Sequence, residues 1–359
     1  TGHLVYASGQ KLYAIAFDRA TLRTHGEAAA IPDIDIATAP DNGAGDFAVA
    51  DSGTLVFLAP GASGRAPGAL YWVDRAGKEE PLPIAPAPYW YPRVSPDGSR
   101  IALDLPGANR DIWIWSAERP SLTRVTSGPS EDVLPTWSPG GRLFFGSQRN
   151  GNFDIYSQAA DGATAERVEF SGPGDQMPVA FTPDGRLILN QNFKDISVLT
   201  LSGTPRVTPL LHTDANEWVG EVSPDGKWFA YESNEAGDRV EIFVRPFDDL
   251  TARRDKVSIN GGRYPAWARD GRELYYVDLD GAMMAVPVTL EPRLALGAPR
   301  KLFDYQKPPR TISGRPYDIS PVDGRFLIVR PVAGTPQRDI DIPVILNWFE
   351  ELRRVVPAR

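Results

Sequence analysis

Apolar residues in this chain fall into short alternating runs rather than helical spacing, and the runs come in a fixed order. Around residue 140 the order is plainest: Leu134-Pro-Thr-Trp137, a Ser-Pro-Gly-Gly turn, the alternating run Arg142-Leu-Phe-Phe-Gly-Ser147, a turn at Gln148–Asn152, then Phe153-Asp-Ile-Tyr-Ser157 and Ala165–Phe170. Alternation over a few residues marks a half-buried strand, so the stretch predicts four short strands in succession. The same order recurs. Second strands read Arg100–Asp104, Arg186–Asn190, Trp228–Glu232 and Leu274–Asp278; third strands read Asp111–Trp115, Asp195–Val198, Glu241–Val244 and Met283–Val286.

A turn phrase keeps time with this pattern. It stands at Val94-Ser-Pro-Asp-Gly98, Trp137-Ser-Pro-Gly-Gly141, Phe181-Thr-Pro-Asp-Gly185, Val222-Ser-Pro-Asp-Gly226, Trp267-Ala-Arg-Asp-Gly271 and Ile319-Ser-Pro-Val-Asp-Gly324, with a degraded copy at Val49-Ala-Asp-Ser-Gly53. Its closing glycines are spaced by 41 to 53 residues. Repeats on that scale, each of four antiparallel strands, predict an all-β, single closed β-propeller rather than a solenoid. Seven blades close best, with six or eight as alternatives. The piece Leu4–Ile31 and the piece Tyr317–Ile345 would share one blade and so remove two open sheet edges. Residues 1–359 would then form one domain, with a short helix at about 348–354.

Composition excludes more than it selects. No cysteine is present, which removes disulfides, thiolate catalysis, zinc fingers and iron–sulfur clusters. With 38 basic and 46 acidic side chains the net charge is −8, which opposes binding to nucleic acid or to anionic membranes. No run of 18 apolar residues occurs, so no membrane-inserted helix is expected.

The Ser-Pro-Asp-Gly turn, the apolar strand after it and the following Asp-Ile-aromatic resemble the TolB-like propeller repeat. Gly2–Asp18, Ser233–Phe247 and Pro343–Leu352 are similar to the carboxy-terminal propeller of certain bacterial receptor serine/threonine kinases. That resemblance implies an extracytoplasmic (periplasmic or cell-surface) sensor domain. The kinase itself is absent from these residues, which hold no glycine-rich loop, His-Arg-Asp segment or Asp-Phe-Gly.

Candidate chemistry belongs to the segments just before each first strand, which should rim one mouth of a central channel. Trp90, Tyr91, Arg93, Glu217, Trp218, Arg263, Tyr264, Arg315 and Tyr317 combine aromatic faces with opposite charges and form the expected ligand-binding rim. Their arginines favour a small polar or anionic ligand or a protein loop, because a planar guanidinium pairs bidentately with carboxylate or phosphate. Glu131, Asp132, Asp175 and Glu221 break the repeat register and are the expected ligands of a hard cation, with calcium as the candidate cofactor. Turn acids such as Asp97 and Asp225 are expected to be structural, and Trp137, Phe181 and Trp267 should lie buried between neighbouring repeats.

Two function classes follow. One is a non-catalytic ligand- or protein-binding sensor or scaffold that uses the channel mouth. The alternative is a channel-centred, metal-dependent hydrolase or lyase acting on an ester, phosphoester or glycan. Histidine gives little help: His3, His25 and His212 are scattered, and a Ser–His–Asp set built on His212 would have to assemble in space.

Overall fold

A computed structural model describes residues 2–9, 11–37, 45–58, 67–107, 109–237, 239–291, 293–306, 314–332 and 342–356. The chain divides into two compact units, one formed by Pro67–Val332 and the other by Thr1–Ala66 with Ala333–Arg359. We expected one propeller across 1–359.

Within Pro67–Val332 the described residues form five four-stranded antiparallel sheets and one five-stranded sheet, as in a β-propeller. Four of them follow chain order, and the sheet at 132–170 is typical: Asp132–Trp137, Leu143–Ser147, Asp154–Gln158 and Arg167–Phe170. The turn phrase builds each first hairpin. In the first copy, Asp97 Oδ1 accepts hydrogen bonds from the Ser95 hydroxyl (2.5 Å) and the Ser99 amide (3.0 Å), while Gly98 takes the positive φ of 75° that closes the turn. These bonds, the Ser95 hydroxyl foremost, pull the Asp97 carboxyl down to about 2. Asp225 repeats the arrangement with Ser223 and Lys227. The turn acids are therefore structural, as expected.

Neighbouring repeats are joined through the pre-turn aromatics. Trp137 and Trp267 are 8% and 5% exposed. Each indole donates to a first-strand carbonyl of an adjacent repeat, Trp137 Nε1 to Arg93 at 3.0 Å and Trp267 Nε1 to Glu221 at 3.1 Å. Phe181 is only half-buried, so the expectation holds for the two tryptophans and is weaker at the phenylalanine.

The sixth sheet corrects the expected pairing of the chain ends. Its order is Tyr317–Ile319, Phe326–Pro331, Gly68–Val73 and Glu79–Pro81, so strands from the two ends of this unit meet in one sheet. The piece Leu4–Ile31 takes no part. Phe326–Pro331 runs in register with Gly68–Val73 along its whole length, and Leu70, Leu327 and Val329 are buried by the match. Leu55–Phe57 and Gly68–Val73, successive described strands of the chain, enter different sheets.

Among its described residues the other unit holds two three-stranded sheets and one helix. β1 (Gly2–Ser8), β2 (Lys11–Asp18) and β3 (Arg23–Asp35) form the first sheet. β4 (Phe47–Val49), β5 (Leu55–Phe57) and Val344–Ile345 form the second. Helix α1 (Trp348–Val355) buries Trp348 and Leu352 in a core with Leu12, Ala14, Ile31, Leu55 and Phe57. It carries Glu350 and Glu351 in its first turn and Arg353 and Arg354 in its last, the distribution that favours a helix dipole.

Candidate functional site

The first strands of the Pro67–Val332 unit run from the expected rim toward the turn phrases, and a cavity of about 390 Å³ lies along their turn end. The turn prolines Pro96, Pro139, Pro183, Pro224 and Pro321 line it, together with Trp137 and Trp267. Its polar lining comes chiefly from Arg93, Glu221, Arg269, Arg315 and Asp318. Three arginines thus face two carboxylates.

Four of these groups form one lattice. Arg315 Nη1 reaches Glu221 Oε2 at 2.9 Å, and its Nη2 reaches Asp318 Oδ1 at 2.6 Å. Arg93 is buried and donates from Nη1 to the carbonyls of Pro92 and Arg315 (2.8 Å each) and of Tyr317 (3.3 Å). The acids also accept backbone amides: Glu221 Oε2 from Trp267 (3.2 Å) and Asp318 Oδ2 from Val94 (2.7 Å). The lattice therefore spans the first strands at 90–94, 217–222, 263–267 and 317–319. Burial first, and the charge of Arg315 second, push Arg93 down to about 10, so it stays charged at neutral pH. Burial also opposes the charge on Arg315, but Glu221 and Asp318 outweigh it and hold its pKa above the ordinary guanidinium value. A preformed set of fixed charges of this kind orients a polar or anionic group without rearrangement.

Only part of the expected rim enters this cavity. Arg93 and Arg315 do, joined by Glu221 from the expected metal set. Tyr264 and Tyr317 are fully buried, Glu217 is 1% exposed, and Tyr91 is 5% exposed, so these four offer no ligand surface. The Tyr317 hydroxyl donates to the Tyr264 carbonyl at 2.8 Å. Arg263 pairs with Glu232 at 3.0 Å, and its guanidinium lies over the rings of Trp218 (5.5 Å) and Tyr264 (5.0 Å). Arg110 stands likewise over Trp90 and Tyr91 while paired with Asp104 at 2.7 Å. At this end of the strands the aromatics and charges satisfy one another between neighbouring repeats.

The structure does not gather the four acids expected to bind a cation. Asp132 pairs with Arg149 at 2.8 Å; Glu131 accepts the Arg110 amide at 3.2 Å; Asp175 accepts the Phe153 amide at 3.0 Å; Glu221 belongs to the arginine lattice. Among the described residues, no group of three or more histidine, aspartate or glutamate side chains is placed to hold a metal ion.

His212 does meet a serine and an aspartate. Its Nε2 lies 3.3 Å from Ser197 Oγ and its Nδ1 lies 3.8 Å from Asp195 Oδ2. Ser197 is fully buried and its hydroxyl donates to Gln191 Oε1 at 2.5 Å. A nucleophilic serine needs that proton directed at the histidine and an exposed oxygen, and this one has neither.

Asp104 and Glu232, near the ends of two second strands, were not among the expected site residues. Tyr91, Leu134 and Tyr264 adopt positive φ values of 45°, 55° and 61° at bulges in their first strands. Asp104 Oδ2 accepts the Leu134 amide at 3.1 Å and Glu232 Oε2 accepts that of Tyr264 at 2.7 Å. Left-handed backbone at a non-glycine residue costs on the order of 1 kcal/mol, and these buried charge-assisted bonds offset it. The signal was present in the sequence, where otherwise apolar second strands end on Asp104, Asn190 and Glu232.

Four-stranded antiparallel sheets in series, with a turn-lined cavity along their first strands, are the arrangement of a β-propeller. Residues 83–203 match the family model of the TolB beta propeller domain. An uncharacterized protein of Agrobacterium fabrum is 30% identical over 112 residues, 31% of this chain and 38% of that protein. The Tol-Pal system protein TolB of Anaeromyxobacter dehalogenans is 48% identical over 44 residues, 12% of this chain and 10% of that protein. This chain therefore aligns with well under two thirds of the length of either relative. Among solved structures, a TolB-type protein from Agrobacterium tumefaciens superposes with a TM-score of 0.59 at 18% identity, over 74% of this chain and 99% of the other. TolB from Acinetobacter baumannii gives 0.51 at 15% identity, over 85% and 80%. At these identities the structural likeness speaks to fold alone. The TolB-like propeller repeat expected from the turn phrases is present in this chain.

Proposed function

We propose that the Pro67–Val332 unit is a six-bladed, closed, TolB-like propeller that acts as a non-catalytic binding module, holding a small polar or anionic ligand or a protein loop in the cavity at the turn end of its first strands. The lattice of Arg93, Glu221, Arg315 and Asp318 carries this reading. It fixes charge of both signs in a cavity of about 390 Å³, with one arginine in excess once Arg269 is included. The site thus lies on the same strands as the rim inferred from sequence, but toward their other end. By its resemblance to receptor-kinase propellers, the module works outside the cytoplasm.

Calorimetric titration with a tripeptide ending in a free aspartate, against its carboxy-amidated form, tests the reading. Arg269 is exposed and lines the cavity, so Arg269→Glu should leave the fold intact and weaken binding of the free acid about tenfold. Equal affinity for the two peptides, or an unchanged affinity in the variant, would overturn it.

A further inference from the structure

In the unit formed by residues 2–58 and 342–356, β1 and β4 are each the end strand of their sheet, and both line a single groove of about 990 Å³. The walls are unlike in chemistry. Phe47, Trp348, Phe349 and Leu352 supply apolar surface, whereas His3, Arg19 and Arg353 supply the ionisable groups; among the described residues no acidic side chain lines the groove. Among the described residues, Arg19 and Arg353 have no ion pair or hydrogen bond. Trp348 is 1% exposed, yet its indole Nε1 has no hydrogen-bond acceptor. A buried donor left unpaired costs free energy, so its presence on a groove wall points to an acceptor that arrives with a ligand.

The strand count points the same way. Among the described residues the sheets of the Pro67–Val332 unit have four or more strands, whereas the sheet of β1 has three. No described strand pairs with the outer side of β1. β1 also lacks protection as an edge, because it is seven residues long and carries neither proline nor a register shift against β2.

We propose that this groove is a strand-addition site that takes an extended segment of a partner protein, about seven residues long, with alternating apolar and acidic side chains. The segment lies along β1; its apolar side chains face Phe47 and Phe349, its carboxylates meet Arg19 and Arg353, and an oxygen accepts from Trp348 Nε1. Charge decides against a second copy of this chain as the occupant, because self-pairing through β1 would bring His3 and Arg19 against their own kind.

The test uses the whole chain and two fluorescein-labelled octapeptides, one of alternating valine and glutamate and one of alternating valine and lysine, read by fluorescence anisotropy. We expect the glutamate peptide to bind at least about tenfold more tightly, and the double variant Arg19→Glu/Arg353→Glu to lose that preference. Both arginines are exposed, so the variant should keep the parent's circular dichroism and melting temperature. Hydrogen exchange should show new protection on the Gly2–Ser8 amides when the glutamate peptide is bound. In Trp348→Phe, which keeps the packing and removes the donor, affinity should fall about threefold. Equal binding of the two peptides, no saturation by ~1 mM, protection confined to other strands, or dimerisation through β1 without peptide binding would each overturn the proposal.

Discussion

The two units end their sheets in different ways. In Pro67–Val332 the first strands pack on one another through buried tryptophans and the arginine lattice, and the outer strands are short or interrupted. Glu79–Pro81, Leu122–Arg124 and Asp255–Lys256 have three, three and two residues, and Arg206–Leu211 contains Pro209. In the other unit β1 has seven residues, no proline and a half-exposed face, whereas the outer strand β3 carries Pro32 and two register shifts against β2. Short or proline-bearing edges discourage strand pairing, and long plain ones invite it. The outer edges of the first unit are therefore poor templates for a further strand, whereas β1 of the second is a plain one.

The largest effect expected from breaking this comparison lies at the inter-repeat tryptophans. Trp267→Ala removes a buried indole and its bond to the Glu221 carbonyl, and should cost about 3–5 kcal/mol in urea unfolding. Phe181→Ala, at the equivalent but half-buried position, should cost clearly less, about 1–2 kcal/mol. Equal losses at the two sites would mean that burial between repeats is not what the pre-turn aromatics supply.

A second effect is set by pH. Burial raises the Glu217 carboxyl to about 7; the Thr213 hydroxyl, which donates to Oε1 at 2.7 Å, only partly counteracts this, and Oε2 has no partner. Between the ordinary glutamate value and about 7 the folded state therefore binds more protons than the unfolded one. Stability from this group is fully present below the unfolded pKa and falls as pH rises toward 7, by on the order of 3 kcal/mol. Glu217→Gln should flatten that slope in denaturation midpoints measured from pH 4.5 to 7.5, and an unchanged slope would reassign it to other acids.

Most of the fold was legible because the turn phrase is local chemistry: proline and Asp-Gly dictate a hairpin wherever they occur. The pairing of chain ends was not legible, since no turn links Phe326–Pro331 to Gly68–Val73 and only complementary burial selects that register. The site was legible in residue type but not in direction. Arg93, Arg315 and Glu221 were recognisable as unusual charges near first strands, while the partners that hold Arg263 and Arg315, Glu232 and Asp318, were not among the expected site residues. Tyr264 and Tyr317 read as ligand aromatics because sequence cannot distinguish an aromatic at a mouth from one packed beneath it.

Local opening should separate the two units next. Amides of Phe326–Ile328, paired on both sides, should exchange near the global unfolding rate, whereas those of β1, paired only with β2 among the described residues, should exchange at least about tenfold faster in native buffer. Matching rates would show that β1 is already covered in the free protein, and would count against an available edge.

The smallest effect concerns the exposed face of that edge. Leu4 is 45% exposed and lines the groove beside β1, so Leu4→Ser removes little buried surface and should change stability by no more than about 0.5 kcal/mol. Leu12, on β2 opposite Ala7 and at 0% exposure, belongs to the core with Trp348, and the same change there should cost several-fold more, about 2–5 kcal/mol. Urea midpoints of the two variants decide between two accounts of β1. If Leu4→Ser destabilises the chain nearly as much as Leu12→Ser, then Leu4 is packed in the free protein and the groove is part of the core. If Leu4→Ser leaves the midpoint unmoved, the leucine is kept exposed at a cost in solubility, and an apolar side chain held at an open strand edge has its use in what it later covers.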